Sequence, residues 1–222
     1  MPKEKLTREI LVYEAQIFCK EISQKHIKEL YGVTDGKAVG TYIEKNFQSY
    51  LIEKYEVTIG SSAKGIDLPS ESINTDIKVT SVAQPQSSCP FSDAKQKIYG
   101  LGYNLLLFVY EKEDFEESKS TILKIVNCTF IDESRTADYT TTYRLREMIK
   151  DGANKDDIIS YINDRNIPAD EITINQIAEL ILSNTPNQGY LTISNALQWR
   201  LQYGRIVNLT ERIKGITKIH HT

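Results

Sequence analysis

The strongest constraint on the fold is the apolar run from Tyr103 to Tyr110, in which Asn104 is the one strongly polar side chain. A strand with one face in water alternates apolar and polar residues, whereas this run is almost continuously apolar. Its length and composition are those of a strand, and its continuity predicts burial on both faces. The rest of the chain must therefore supply cover for both sides of a central sheet.

The segments around this strand indicate an α/β protein. Two amphipathic helices precede the run, further strands flank it, and helices dominate after residue 142. The predicted helices cover 6–31, 38–55, 92–99, 142–150, 155–164 and 174–182, with a last helix from 195 onward, and the predicted strands cover 57–59, 73–81, 103–110 and 121–131. We expect an α/β core with a helical C-terminal part.

Composition excludes several kinds of chemistry. The chain has 222 residues but three histidines, His26, His220 and His221, which leaves too few ligands for a histidine zinc site. It has no phosphate loop and no glycine-rich dinucleotide motif. It also lacks an apolar run long enough to span a membrane and a signal-peptide core after Met1, so we expect a cytoplasmic protein without membrane contact.

Chemistry must then come from Asp, Glu and Lys, and one strand concentrates them. Asp76 and Lys78 lie two residues apart, so their side chains share a strand face. Asp67 lies nine residues earlier, and if the chain on the two sides of the bend at Pro69 pairs, Asp67 returns to the same end of the site. Two carboxylates and a lysine suit Mg²⁺-dependent phosphodiester hydrolysis. The alternative for Asp76 and Lys78 is a surface ion pair.

Together these residues resemble a family pattern. A helix with Gly40 and Glu44 is followed by Gly65–Pro69 and then by Asp76–Lys78. This order resembles the PD-(D/E)xK nucleases and, in size and layout, a bacterial type II restriction endonuclease, over about residues 36–131. One departure is that Pro69 follows the first acid, whereas the motif's name places proline before it.

The resemblance implies a restriction-endonuclease-like core, a central mixed sheet flanked by helices, and a role for each matching residue. Asp67 matches the first acid, Asp76 the second and Lys78 the lysine. Glu44 matches the acid that many members carry on the preceding helix, although it would otherwise be a solvated helix charge. Asp67, Asp76 and the backbone carbonyl of Ile77 match the metal ligands, with Mg²⁺ as the expected cofactor.

The resemblance also implies a layout of one nuclease domain over residues 1–222. We expect an N-terminal helix over 1–35, a catalytic core over 36–131, and a mostly helical part over 132–222 for DNA binding and dimerisation.

Two segments carry the side chains expected to contact DNA. The loop 84–91 follows the acidic strand, and its amides and hydroxyls can hydrogen-bond base edges. The second segment enters the predicted last helix, within residues 195–222 that hold five Lys or Arg and one Glu although the whole chain has net charge −3. The candidates are Gln84, Gln86, Ser87, Ser88, Thr192, Ser194, Asn195, Gln198, Arg200 and Arg205. Solvated loop and helix surfaces are the alternative.

The expected function is sequence-specific, Mg²⁺-dependent cleavage of double-stranded DNA by a type II restriction endonuclease. The chain holds one copy of the acid–lysine constellation, so cutting both strands predicts a homodimer, with a monomer that nicks twice as the alternative. A partner DNA methyltransferase is expected in the same system. The competing functions are a junction-resolving or nicking nuclease of the same core and a non-catalytic helix-turn-helix regulator.

Overall fold

The computed structural model describes residues 3–60, 65–89, 93–194 and 199–221. The strands are β1 (Glu4–Lys5), β2 (Tyr55–Glu56), β3 (Thr75–Ser81), β4 (Gln86–Cys89), β5 (Asn104–Phe115), β6 (Ser120–Ile131), β7 (Thr192–Ile193), β8 (Trp199–Gln202) and β9 (Ile216–His221). The helices are α1 (Arg8–Ile22), α2 (Gly36–Lys54), α3 (Gln96–Tyr99), α4 (Tyr139–Lys150), α5 (Lys155–Asp164), α6 (Glu171–Ser183) and α7 (Gly204–Val207), with a 3₁₀ turn at Glu133–Arg135. Mixed α/β architecture is therefore confirmed.

The chain forms two compact units. Unit 1 comprises residues 1–87, 103–131 and 210–222, and unit 2 comprises 88–102 and 132–209. The predicted single nuclease domain, with internal divisions near residues 35 and 131, stays a prediction. Within the described residues, no helix is long and apolar enough to cross a membrane.

Unit 1 is built on a four-stranded mixed sheet in the order β3-β5-β6-β9. β3 runs parallel to β5, and the other two pairings are antiparallel. The apolar run occupies the first part of β5, where Leu105 to Val109 are fully buried, so the predicted burial of this strand is confirmed. β5 continues past the predicted end to Phe115 because residues 111–115 pair with residues 120–124 of β6.

Helices α1 and α2 pack on the sheet through an aromatic cluster. The ring of Phe47 lies 4.9 Å from that of Phe18 and 5.2 Å from that of Phe108 of β5. Gly40 faces Val79, where a β-carbon would lie 3.7 Å from the Val79 carbonyl oxygen, so α2 approaches β3 closely. This packing sets the position, relative to β3, of the α2 face that carries Glu44.

A buried carboxylate ties α1 to α2 and β2. Glu14 accepts hydrogen bonds from Lys54 (2.8 Å), Tyr55 (2.6 Å) and Tyr50. Burial raises the pKa of this carboxyl, but the three donors outweigh burial and hold the pKa of Glu14 below its usual value. These hydrogen bonds lie within unit 1, where they hold α1 against α2 and β2.

Helix α1 is shorter than the sequence predicted. It ends at Ile22, and Ile27, which lies within the predicted helix 6–31, instead exchanges two backbone hydrogen bonds of 2.8 Å with Thr121 of β6. Tertiary pairing with a strand replaces helical hydrogen bonds there, so the prediction of a helix through residue 31 was wrong.

Unit 2 contains helices α4, α5 and α6 with side-chain caps at each N-terminus. Asp138 caps α4, Asn154 and Asp157 form a reciprocal capping box on α5, and Asp170 caps α6. Apolar side chains from these helices form one core cluster, which includes Leu145, Ile158, Ile162, Ile177 and Ile181.

The predicted last helix from Asn195 was wrong over residues 199–202, and within the described residues from 199 onward only the short α7, Gly204–Val207, is helical. Residues 199–202 form β8, which pairs antiparallel with β7 through Thr192–Gln202 and Ile193–Leu201. Burial alternates along β8, with Trp199 and Leu201 buried and Arg200 and Gln202 exposed. The alternation of apolar and polar residues was visible in the sequence and is the signature of a strand, not of a helix. The C-terminal part is consequently less helical than expected.

Candidate active site

The bend after Asp67 brings its carboxylate to the open edge of β3. Leu68 and Thr75 exchange two backbone hydrogen bonds of 3.0 Å across the bend, and Gly60 N donates to the Asp67 carbonyl at 2.7 Å. Asp67 Oδ2 then accepts a hydrogen bond of 2.8 Å from the backbone N–H of Ile77. The chain on the two sides of Pro69 therefore pairs in the way that the acid cluster requires.

Asp76 and Lys78 lie side by side on β3. Lys78 Nζ is 2.6 Å from Asp76 Oδ2, and Asp76 is 4% exposed. Apart from Lys78, no donor among the described residues reaches Asp76 Oδ2 with hydrogen-bond geometry. A buried carboxylate oxygen with unused acceptor capacity is costly unless a further ligand satisfies it.

Electrostatic effects on Asp76 oppose one another. Burial raises the pKa of Asp76 to about 7, and the positive charge of Lys78 and its hydrogen bond work against the rise. A hydrogen bond that protonated Asp76 donates to the Asp67 carboxylate, together with the negative charge of Asp67, adds to the rise. The carboxyls of Asp67 and Asp76 are thus close enough to repel each other when both are ionised. An additional positive charge at this place would relieve that repulsion.

Glu44 of α2 joins the same cluster. Burial raises the pKa of Glu44, the negative charge of Asp67 adds to the rise, and the positive charge of Lys78 opposes it. The structure therefore brings Glu44, Asp67, Asp76 and Lys78 together, and the solvated helix-surface alternative for Glu44 does not describe its position.

Gln48 is a member of the cluster that the sequence reasoning missed. Its Nε2 lies 3.3 Å from Asp67 Oδ1 and 3.5 Å from Glu44 Oε1, as donor to both. Gln48 follows Glu44 by four residues, so both project from one face of α2, and this spacing was the available signal. The side-chain amide of Gln48 thereby links Glu44 of α2 to Asp67 beside the bend.

The donor set fits a hard cation that keeps some of its waters. Within the described residues, no group of three or more Asp, Glu, His or Cys side chains is arranged to hold a metal ion. Two carboxylates and a backbone carbonyl remain, and Mg²⁺ is commonly bound through one or two protein carboxylates while it retains water. The N–H of Ile77 points to Asp67 at the open edge of β3. Because the N–H and C=O of one strand residue point to the same side, the Ile77 carbonyl faces that edge too. The incompletely used oxygen of Asp76 supports this fit.

The first predicted DNA-contacting segment is partly a strand. Gln86, Ser87 and Ser88 belong to β4, so the prediction of a loop through residue 91 was wrong there, and Gln84 is exposed just before it. Thr80 Oγ1 accepts from Gln86 N at 3.1 Å and donates to the Gln84 carbonyl at 3.0 Å, which anchors the turn to β3. The side chains of Gln84, Gln86, Ser87 and Ser88 therefore project from a backbone that hydrogen bonds hold in place.

The second segment lies in unit 2. Thr192 is exposed on β7, Ser194 Oγ accepts from Arg200 N at 3.0 Å, and Arg200 and Arg205 are exposed. Asn195 and Gln198 lie outside the described residues. The expected entry of a polar segment into a helix N-terminus is replaced by the β7–β8 pair, and the polar side chains follow a strand.

An edge strand of the mixed sheet carries Asp76 and Lys78, and the bend brings Asp67 beside them. This arrangement is expected of a metal-dependent nuclease, and comparison with known proteins gives the class. The family model described as type II restriction enzyme NspV matches residues 5–218. The type II restriction enzyme NspV of Nostoc sp. (strain ATCC 29411 / PCC 7524) is 51% identical over 215 residues, which cover 97% of each chain. The chain therefore belongs to the type II restriction enzyme NspV family, and it is a restriction-system endonuclease. No solved structure matches the chain, so the restriction-endonuclease-like core stays a prediction.

Proposed function

We propose that the chain cleaves both strands of DNA at a short specific sequence by Mg²⁺-dependent hydrolysis at the cluster of Asp67, Asp76 and Lys78. The observation that carries this proposal is the convergence of two carboxyls and an ammonium at the open edge of β3, where the buried Asp76 Oδ2 lies 2.6 Å from Lys78 Nζ and keeps acceptor capacity for a metal ion. A purely structural ion pair would not need the second acid beside it.

Each residue has a role that follows from its position. Asp67, Asp76 and the Ile77 carbonyl would hold Mg²⁺, which supplies a water of lowered pKa and stabilises charge on phosphate oxygens. Lys78, held beside Asp76, orients the attacking water and places a positive charge near the phosphate that gains negative charge in the transition state. Its removal should cost several kcal/mol of transition-state stabilisation, about 10²-fold or more in rate.

Glu44 and Gln48 act on the same centre from α2. Gln48 donates to both Glu44 and Asp67, so it restricts the rotation of the Asp67 carboxylate. We assign Gln48 as a positioning residue and Glu44 as an acid that adds negative charge to the metal side of the site.

DNA recognition is assigned to the exposed polar segments. The side chains proposed to contact DNA are Gln84, Gln86, Ser87, Ser88, Thr192, Ser194, Arg200 and Arg205, together with Asn195 and Gln198 on the basis of sequence alone. Hydrogen bonds to base edges give specificity, and contacts to phosphates give orientation. We further propose a homodimer and a partner methyltransferase that protects the same site.

The test is digestion of plasmid and phage DNA by the purified protein in Mg²⁺ and in chelator. Discrete fragments that require Mg²⁺ are expected. Relaxed plasmid circles without linear product would instead identify a nicking enzyme, and a shifted but intact duplex would identify a regulator. Either of those outcomes contradicts double-strand cleavage.

A further inference from the structure

Unit 2 displays a cluster of tyrosine rings at the start of α4. The rings of Tyr139 and Tyr143 are nearly parallel, at 4° and 6.1 Å between centroids, and Tyr190 meets Tyr139 edge-on at 5.8 Å. Tyr143 is 52% exposed. Exposed, mutually packed tyrosines present a rigid amphipathic surface that loses little entropy when it binds a partner.

Arg205 of α7 stacks on this cluster. Its guanidinium carbon lies 3.6 Å from the centroid of the Tyr139 ring, and the residue is exposed. Among the described residues, no carboxylate is ion-paired with Arg205. A guanidinium that stacks on a ring uses its face for that contact, so its N–H groups remain to donate, and their fork matches phosphate geometry.

The surroundings of the cluster are basic. Helix α4 carries Arg144, Arg146 and Lys150 on its exposed surface, against the half-buried Glu147. Arg146 also donates to the Pro186 carbonyl at 2.8 Å, which fixes its orientation. Other acids of unit 2 lie on α5, on α6 or just before α6: Asp156, Asp157, Asp164, Asp170, Glu171 and Glu179. Asp138 and Asp151 cap the two ends of α4, and Asp138 is buried, with its carboxylate accepting from the N–H groups of Thr141 and Ile193.

We propose that the tyrosine–arginine face, defined as Tyr139, Tyr143, Arg146, Tyr190 and Arg205, binds the phosphate backbone of duplex DNA independently of its sequence. The inference rests on the proposed function and deepens it, because it separates a backbone-anchoring surface from the side chains that read bases. Stacked arginine and tyrosine hydroxyls donate to phosphate oxygens, and the absence of an ion-paired carboxylate at Arg205 within the described residues leaves its charge available.

The test compares Arg205→Gln with Lys155→Gln, which removes the same charge from α5, where Lys155 is paired with Glu179. Binding of fluorescent duplexes of unrelated sequence is measured in chelator over a range of salt. We expect Arg205→Gln to weaken binding roughly tenfold for every duplex and to reduce the slope of log K against log salt by about 1, with no such change for Lys155→Gln.

A second pair tests the platform while the charge is kept. Tyr139→Leu should weaken binding because Arg205 loses its stacking surface, and Tyr139→Phe should restore most of the affinity. Arg205→Gln with wild-type affinity and salt slope would overturn the proposal. The proposal would also be overturned if Arg205→Gln changed the protein from dimer to monomer on sedimentation while the DNA affinity per chain stayed the same. That result would show that the face joins two copies of this chain.

Failure of this inference and failure of the proposed function give different results. If the face is not a DNA surface, Arg205→Gln binds normally while the unaltered protein still produces Mg²⁺-dependent fragments. If the chain does not cleave DNA, no fragments form with any variant.

Discussion

Asp76 shows most clearly that the site is arranged for function at the expense of stability. A buried carboxylate beside a second acid destabilises the folded state, and one lysine offsets part of that cost. Because the folded pKa of about 7 lies above the usual value of an aspartate, the folded protein keeps a proton between about pH 4 and pH 7 that the unfolded chain has lost. The contribution of Asp76 to stability is therefore present below pH 4 and is lost as pH rises through 7.

This sign predicts the behaviour of Asp76→Asn, which mimics the protonated carboxyl. In chelator, the variant should gain stability relative to the unaltered protein as pH rises from 4 to 8, by up to about 4 kcal/mol. Urea unfolding at several pH values measures the difference.

Glu14→Gln provides a comparison of opposite sign. The donors around Glu14 hold its pKa below the usual value, so its stabilising contribution is present at neutral pH and is lost as pH falls. Glu14→Gln should destabilise the protein more at pH 7 than at pH 3.5. A pH-independent effect of Asp76→Asn would contradict the account of that carboxyl.

Gln48→Leu is predicted to impair cleavage without unfolding the protein, because Asp67 loses one of the donors that orient it. Loss of positioning should raise the Mg²⁺ concentration for half-maximal cleavage and lower the rate about tenfold or more. Gln48→Glu retains the shape but adds a third acid beside Glu44 and Asp67, so it should not rescue activity. If Gln48→Leu keeps the normal Mg²⁺ dependence, Gln48 has no positioning role.

The sequence predicted the proximity of Asp76 and Lys78 because strand periodicity alone places them on one face. The sequence predicted that Asp67 joins the site only if the chain pairs across the bend. The hydrogen bonds between Leu68 and Thr75 form that pairing. Gln48 was missed because its partner lies nineteen residues away, on the chain after the next strand. Helical periodicity places Gln48 beside Glu44, but its contact with Asp67 is set by how α2 packs on β3.

Among the structural elements, the bend that carries Asp67 is held by a close backbone approach. A β-carbon on Gly60 would lie 1.9 Å from the Ile66 carbonyl oxygen and 3.5 Å from that of Asp67. Because both neighbours are backbone atoms, a side chain at Gly60 must displace the segment that presents the first acid.

Gly60→Ala should therefore reduce the cleavage rate by about 10²-fold, since a shift of about 1 Å in a reacting group has a cost of that order. Gly36→Ala is the matched control, because its β-carbon would meet Tyr110 Oη at an ordinary 3.9 Å and the residue begins α2. Single-turnover cleavage and thermal unfolding measure both variants. Equal cleavage rates would show that the bend tolerates displacement.

Elements with strong local signals were predicted best. α5 was predicted with its observed bounds because its cap and its acidic first turn are encoded in adjacent residues. The strand β8 was missed because four residues with alternating burial were read as part of a longer helical pattern. β4 was missed because its polar residues, Gln86 to Ser88, have the composition of a loop, and only pairing makes them a strand.

At the scale of the whole molecule, a homodimer is the predicted assembly. One acid–lysine cluster per chain can cut one strand at a visit, and a two-fold axis supplies the second cluster in the orientation of the antiparallel strand. Sedimentation with a cognate duplex should show two chains per duplex, and linear plasmid should form without accumulated nicked circles. One chain per duplex, with nicked circles preceding linear DNA, would identify a monomer that cuts twice.

The most direct test of the central claim is the single-turnover cleavage rate of Lys78→Ala at saturating Mg²⁺. Lys112→Ala is the control, because Lys112 also pairs with an aspartate two residues away on a strand, Asp114, but outside the acid cluster. The account predicts that Lys78→Ala cleaves at least about 10²-fold more slowly while it binds DNA with near-normal affinity, and that Lys112→Ala cleaves normally. Cleavage by Lys78→Ala at the rate of the unaltered protein would contradict the assignment of this cluster as the active site.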